Sequence, residues 1–217
     1  MSWFAEQSVV LQAFLAGLFT WTCTIIGSGI VFFFKNVSRK LLDTMQGFAA
    51  GVMIAASFWS LLAPSISYAE PIYGSWSWVP AAVGFLLGGY FLRFIDAIIP
   101  HLHLGHDIAK AEGGSKEERK KLSKTALLFL AITIHNIPEG LAVGVTFGAL
   151  ANNFSQAAYV GALGLALGIG LQNIPEGSAL SIPIRTDGKT RQQAFFWGAM
   201  SAIVEPIAAV IGAVAVI

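Results

Sequence analysis

His135-Asn136-Ile137-Pro138-Glu139-Gly140 is answered 37 residues later by Gln172-Asn173-Ile174-Pro175-Glu176-Gly177. Each copy lies inside a long apolar stretch. On a helix, His135 and Glu139 are four apart, as are Gln172 and Glu176, so each pair shares one face. Asn136 and Asn173 stand three before their glutamates, at the edge of that face. Each proline lacks an N–H and leaves a carbonyl about one turn earlier without its donor, near Ala131 or Ile134 in the first copy and Gly168 or Leu171 in the second. At membrane depth such a gap is tolerated only against protein or a water-lined cavity. Imidazole, carboxylate and amide oxygen together suit a borderline divalent cation such as Zn²⁺. A purely structural polar contact between two bent helices is the competing reading. The expense of unpaired carboxylates in a bilayer argues against it.

The surrounding composition agrees with a membrane setting. Of 217 residues, 55% are hydrophobic and 12% charged, whereas a soluble domain carries roughly 25% charged residues. Mean hydropathy is +0.69. The single cysteine, Cys23, lies in an apolar run, which excludes an internal disulfide and a cysteine-based zinc cluster. Packing is its expected role. No Lys or Arg precedes Lys35, so the first apolar run reads as a spanning helix rather than a cleaved signal. A net charge of +1 gives no footing for nucleic-acid binding.

Six apolar runs follow one another: about 8–34, 41–62, 80–99, 125–150, 157–184 and 192–217. Each reaches the ~20 residues that ~30 Å of hydrocarbon requires. The fold class is therefore an all-α polytopic helix bundle. Gly47, Gly51 and Ala55 in the second run, and Gly161, Gly164, Gly168 and Gly170 in the fifth, are spaced for close helix packing. Residues 63–79, with Pro64, Pro71, Tyr68, Tyr73, Trp76 and Trp78, read as an interfacial loop with aromatic anchors. Phe32–Phe34 read as lipid-facing or interfacial. If the helices alternate, all 13 Lys and Arg fall on one side. The positive-inside rule makes that side cytoplasmic and puts the N-terminus outside.

Acidic residues sort differently. Most lie at helix ends, but Glu139, Glu176 and Glu205 remain inside, and Glu205 precedes Pro206 in the sixth run. No intramembrane Lys or Arg faces them, so a bound cation or protons must neutralise them. With straight helices and a turn near 152–155, Glu139 and Glu176 differ in depth by about 7 residues, roughly 10 Å. Tilt, proline kinks or a helix overshooting the membrane must remove that offset.

The paired HNIPEG and QNIPEG motifs, with a glutamate before proline in the next helix, resemble those of the ZIP family of metal transporters, especially its GufA-like bacterial branch. The resemblance runs along the whole chain. It implies import of Zn²⁺, with Fe²⁺, Mn²⁺ or Cd²⁺ as alternatives, into the cytoplasm across the plasma or inner membrane. It further implies alternating access, helices one, four, five and six moving against two and three, and a homodimer. It implies a first metal site at His135, Glu139, Gln172 and Glu176, completed or lined by Met53. A second site would comprise Asn136, Asn173, Glu139, Glu176 and Glu205, with the two glutamates bridging. The neutral amide at Asn173, where some relatives carry Asp, weakens that second site. Asp43 resembles an acidic residue on the release path. The family has eight helices in a 3+2+3 order, so six of an expected eight are present, as in a truncated gene.

His101, His103 and His106 occupy the basic-side segment 100–124, expected to be a cytoplasmic loop. They either collect or sense metal leaving the pore or are incidental residues of a solvated loop. The Lys110–Lys124 run reads as a solvated helix. No cofactor is expected beyond the transported metal. An intramembrane zinc hydrolase needs HExxH, which the chain lacks, so a transporter rather than an enzyme is expected. A passive cation channel with a carboxylate ring and a membrane metal sensor are the alternatives.

Overall fold

The computed structural model describes residues 2–34, 38–102, 108–116 and 122–217. The helices are α1 (Ser2–Ala5), α2 (Val9–Gly29), α3 (Arg39–Ala56), α4 (Ala63–Tyr73), α5 (Trp78–Ile98), α6 (Lys124–Gly148), α7 (Gln156–Thr186), α8 (Arg191–Met200) and α9 (Val204–Val214). Among the described residues, six helical stretches are long and apolar enough to cross a bilayer: Val9–Phe32, Asp43–Trp76, Trp78–Ile98, Lys124–Ala151, Gln156–Thr186 and Arg191–Val214. The all-α polytopic architecture is thus observed.

Most spans start at a hydroxyl. Ser8, Ser38, Ser123 and Ser155 each accept a bond from the backbone N–H three residues on, at 3.0–3.3 Å. Thr190 and Gln193 close a reciprocal capping box at 3.2 and 3.1 Å. These side chains satisfy N–H groups that the first helical turn leaves without partners.

The segment 63–79 corrects the expectation of a loop. Residues 63–73 are α4 and residues 74–76 a 3₁₀ turn, so the second span continues through them. A wide π turn at Ser57–Leu62 makes this continuation possible. There Ala63 N–H reaches back to Phe58 O, and Pro64 follows with no N–H to place. Pro138 and Pro175 likewise lie inside unbroken helices α6 and α7. The sixth span does break: residues 201–203 form turns between α8 and α9, and Glu205 N bonds to Ala202 O at 3.0 Å. Pro206 would have left that carbonyl without a donor, and the tightened turn supplies one.

The spans pack in two ways. α2, α6, α7 and α8–α9 form a bundle whose backbones approach closely at glycines. A Cβ on Gly177 would strike the Thr24 carbonyl, and one on Gly27 the Ile174 carbonyl, so α2 and α7 touch backbone to backbone. Gly140, Gly144 and Gly212 do the same between α6 and α9. α3 packs along α7, whereas α4 and α5 make few contacts with the bundle. In the most apolar stretch of the sixth span half the residues are buried, and in that of the second none are. Gly47 and Gly51 meet nothing within 4 Å, contrary to their expected close packing. In α7, Gly161 and Gly164 are open, Gly168 faces Val52 of α3, and Gly170 packs on Phe19 and Cys23 of α2. Cys23 is accordingly buried as packing. Phe32–Phe34 are exposed as expected, with Phe32 also resting on Phe195, ring centroids 5.2 Å apart.

Two apolar layers divide the bundle. One gathers Ala13, Val143, Phe147, Leu165, Ile169 and Ala209. The other gathers Val31, Leu102, Leu127, Leu180, Ile184 and Ala194. Both motifs fall between these layers.

Candidate metal centre

Three helices of the tight bundle supply the polar band. α6 carries His135, Asn136 and Glu139; α7 carries Gln172, Asn173 and Glu176; α9 carries Glu205 in its first turn. Overshoot of α7 reduces the depth offset anticipated between Glu139 and Glu176 to about one turn. Nine residues separate Glu139 from the last residue of α6, and sixteen separate the first residue of α7 from Gln172. The 31 residues of α7 span roughly 46 Å, well beyond the hydrocarbon. Gln172 therefore lies level with Glu139, and Glu176 one turn deeper.

The contacts are specific. Gln172 Nε2 donates to Glu139 Oε1 at 2.6 Å, joining the two motifs. Asn173 Nδ2 donates to both oxygens of Glu205, at 2.9 and 3.0 Å, and to the Thr20 carbonyl at 3.1 Å. Glu176 stands close enough to Glu139 and Glu205 for the three carboxylates to repel one another. Among the described residues no lysine or arginine pairs with them. Burial is graded. Asn136, Asn173 and Glu205 have no exposed surface. Glu139 and Glu176 are partly buried, and His135 is exposed. Met53 on α3 is 44% exposed, so it does not share the burial of the carboxylates.

Several buried acceptors in this band lack a hydrogen-bond donor: Asn136 Oδ1, Glu139 Oε2, Gln172 Oε1 and Asn173 Oδ1. A buried polar atom left so costs about 1–3 kcal/mol. A divalent cation bonded to several of these oxygens would relieve that penalty and the repulsion among the acids together. The donor set, carboxylate and amide oxygens with one imidazole within a helical turn, fits Zn²⁺ and its neighbours.

The residues expected on a release path are not part of this cluster. Asp43 is exposed near the basic end of α3. His101 is buried, which corrects the reading of it as an incidental residue of a solvated loop. Its Nε2 lies 2.9 Å from Asp96 Oδ1 and its Nδ1 2.9 Å from Ile99 O. Its backbone pairs both ways with Glu112, at 3.0 and 2.9 Å. Ligand atoms of Asp96, His101 and Glu112 lie within 4.8 Å of one another. His103 and His106 lie outside the described residues, as do 117–121 of the Lys110–Lys124 run; a 3₁₀ turn at Ile108–Lys110 leads into that run.

Two contributions escaped the reading of the chain. Thr20 sits in the first apolar run, and its backbone carbonyl holds Asn173. Every residue type carries such a carbonyl, so the sequence held no signal for it. The glycines that end each motif are packing residues: Gly140 lets α6 approach the Glu205 backbone, and Gly177 lets α7 approach Thr24.

Fold and site define a class, the polytopic α-helical membrane protein with an acidic polar centre between two apolar layers. Residues 105–216 match the family model described as ZIP Zinc transporter. Similar relatives include zinc transporter ZIP11 of Xenopus tropicalis, 40% identical over 96% of this chain and 81% of the relative. ZIP11 of Homo sapiens is 38% identical over 97% and 82%, and zinc transporter GufA of Myxococcus xanthus 36% identical over 93% and 75%. The chain belongs to the ZIP family of zinc transporters. It is a multi-pass membrane transporter of zinc or a related divalent metal, not an enzyme.

Proposed function

We propose that the chain imports Zn²⁺ into the cytoplasm by alternating access through the centre between α6 and α7. Fe²⁺, Mn²⁺ and Cd²⁺ are the further cargoes its donor set suits. The observation that carries this is the group of donorless buried oxygens around the Glu139–Gln172 bond, beside three carboxylates that pair with no lysine or arginine among the described residues. His135, Glu139, Gln172 and Glu176 bind the ion, with Met53 of α3 lining the site when the two helix groups close. To ligate, the Gln172 amide turns its oxygen toward the ion and gives up its bond to Glu139. Bound metal cancels the carboxylate charge, so the loaded site crosses the apolar layers at lower cost. Protons replace the ion as it leaves, because these ligands bind metal only when deprotonated.

The bundle of α2, α6, α7, α8 and α9 moves as one body against α3–α5. Its glycine contacts support rigidity on one side, and the sparse packing of α3–α5 supports sliding on the other. The N-terminus is outside, the membrane is the plasma or inner membrane, and the exposed faces of α3 and α5 serve a homodimer. Asp43 and the Asp96–His101–Glu112 group, with His103 and His106, line the cytoplasmic release path. The whole chain is one transport domain, with 100–124 its cytoplasmic segment.

The test is uptake of ⁶⁵Zn by proteoliposomes. Wild-type uptake saturates, and Glu139→Ala or His135→Ala lowers it at least about 100-fold at low zinc, as loss of a ligand does. Retained uptake in either variant contradicts the proposal, and single-channel conductance would make the protein a pore.

A further inference from the structure

The sixth span is broken at 201–203, just before Glu205, and the unbroken helix α2 lies along the break. Gly17 packs on Pro206 and Ala209, Trp21 reaches Ala199, and Ser28 packs on Gly198. Their spacing puts Gly17, Trp21 and Ser28 on one face of α2. At the break the backbone tightens. Ile203 N–H bonds to Met200 O, three residues back, at 3.2 Å, so the Ala199 carbonyl loses the donor that a continuing helix would give it. Trp21 Nε1 donates to that carbonyl at 2.8 Å. Ala199 is buried, and a buried backbone carbonyl needs a partner. An indole nitrogen is a donor only, so the bond has a single polarity. The preceding residue, Thr20, acts on the same carboxylate by another route. Asn173 Nδ2 divides its N–H bonds between the Thr20 carbonyl and Glu205. Adjacent residues of α2 therefore hold Glu205 twice: its side chain through Asn173, its backbone through Ala199.

We propose that Trp21 is a positioning residue for the metal centre: its indole N–H holds the break of the sixth span against α2 and so fixes Glu205 beside Asn173. This rests on the transport reading above and adds to it that the break is a fixed joint rather than a gate. Interrupted helices border the binding sites of many transporters, and here a continuous neighbour splints the interruption. Without the indole bond the turn at 201–203 loosens, Glu205 shifts, and Asn173, next to the ligand Gln172, loses its carboxylate partner.

The experiment uses the full chain with Trp21→Phe, and with benzothienylalanine in place of Trp21, where sulfur replaces the N–H and the ring shape is kept. Amide hydrogen exchange of residues 199–206, measured without zinc, should be at least about tenfold faster in both variants. The KM of ⁶⁵Zn uptake in proteoliposomes should rise at least about fivefold, with the maximal rate per folded chain within about twofold of the parent. A residue that only stabilises the fold would lower the yield of folded chain and leave KM alone. Unchanged exchange overturns the inference, because the indole then does not hold the break. Faster exchange with an unchanged KM also overturns it, because the break then does not place Glu205. A raised maximal rate contradicts it too, making the break a gate that Trp21 restrains. If Trp21→Phe does not fold, the benzothienylalanine protein, altered only at the donor, decides. Absence of saturable uptake by the parent is failure of the transport reading, and it is separate from the exchange result, which reports on the break itself.

Discussion

The bundle of α2, α6, α7, α8 and α9 and the group α3–α5 are built from similar residues and packed in opposite ways. Both are apolar, and both carry glycines at helical spacing. In the bundle those glycines let backbones touch: Gly177 against Thr24, Gly140 against Glu205 and Gly212 against Leu141. In α3 and α5, Gly47, Gly51, Gly84, Gly88 and Gly89 meet nothing. Close backbone contact suits a part that carries fixed ligands, because no side chain is left to repack. Loose contact suits the surface against which such a part moves.

The largest expected effect breaks the comparison at its tightest point. Gly177→Leu forces a side chain into the Thr24 carbonyl, and overpacking of this kind costs typically ~1–3 kcal/mol and more against backbone. Gel filtration should return little monodisperse protein. Gly51→Leu, with open space around it, should change thermal stability by no more than about 0.5 kcal/mol. Similar losses in the two variants would erase the distinction.

Cross-linking sharpens the comparison from sequence of contacts to motion. Val52 of α3 faces Gly168 of α7, with 3.4 Å between Val52 Cγ1 and a Cβ built on the glycine. In a Cys23→Ser background, a disulfide between Val52→Cys and Gly168→Cys should lower ⁶⁵Zn uptake at least about tenfold, reversibly with reductant, if the two groups slide. Bridging Phe129→Cys and Trp197→Cys, whose native rings lie 5.1 Å apart within the bundle, with a short thiol-cleavable bifunctional reagent should leave uptake within about twofold of the unbridged protein. Equal inhibition by both links would argue for one rigid body.

The smallest effect concerns the bundle's basic end. Lys124 Nζ lies 3.1 and 3.0 Å from the two Asp187 oxygens, tying the start of α6 to the turn after α7. Both side chains are more than a third exposed, so Lys124→Ala should cost only about 0.2–1 kcal/mol, less in high salt. A larger loss in thermal unfolding would mean that this tie, rather than the glycine contacts, holds the bundle.

Much of this was legible in the chain. Six apolar runs and three carboxylates inside them follow from composition and spacing, because a bilayer enforces helices and penalises spare charge. The helical stretch 63–76 was not, because Pro64 and Pro71 read as breakers and a π turn leaves no mark in residue type. Nor could spacing distinguish Gly177 from Gly51, since what a glycine meets depends on the neighbouring helix. Within the site, the one-face pairs were visible from their four-residue separation. The bond between Asn173 and Glu205 was hidden for a different reason. An amide is both donor and acceptor, and only the positions of Thr20 and Glu205 decide which end it presents.

The central claim is that one ion sits between α6 and α7 in exchange for the Glu139–Gln172 hydrogen bond. Crystals of the protein soaked in Zn²⁺ and measured at the zinc edge test it most directly. The expected result is one anomalous peak about 2.0–2.2 Å from oxygens of Glu139 and Gln172 and from a His135 ring nitrogen. An intact bond between Glu139 and Gln172, with zinc found only elsewhere on the chain, would contradict it.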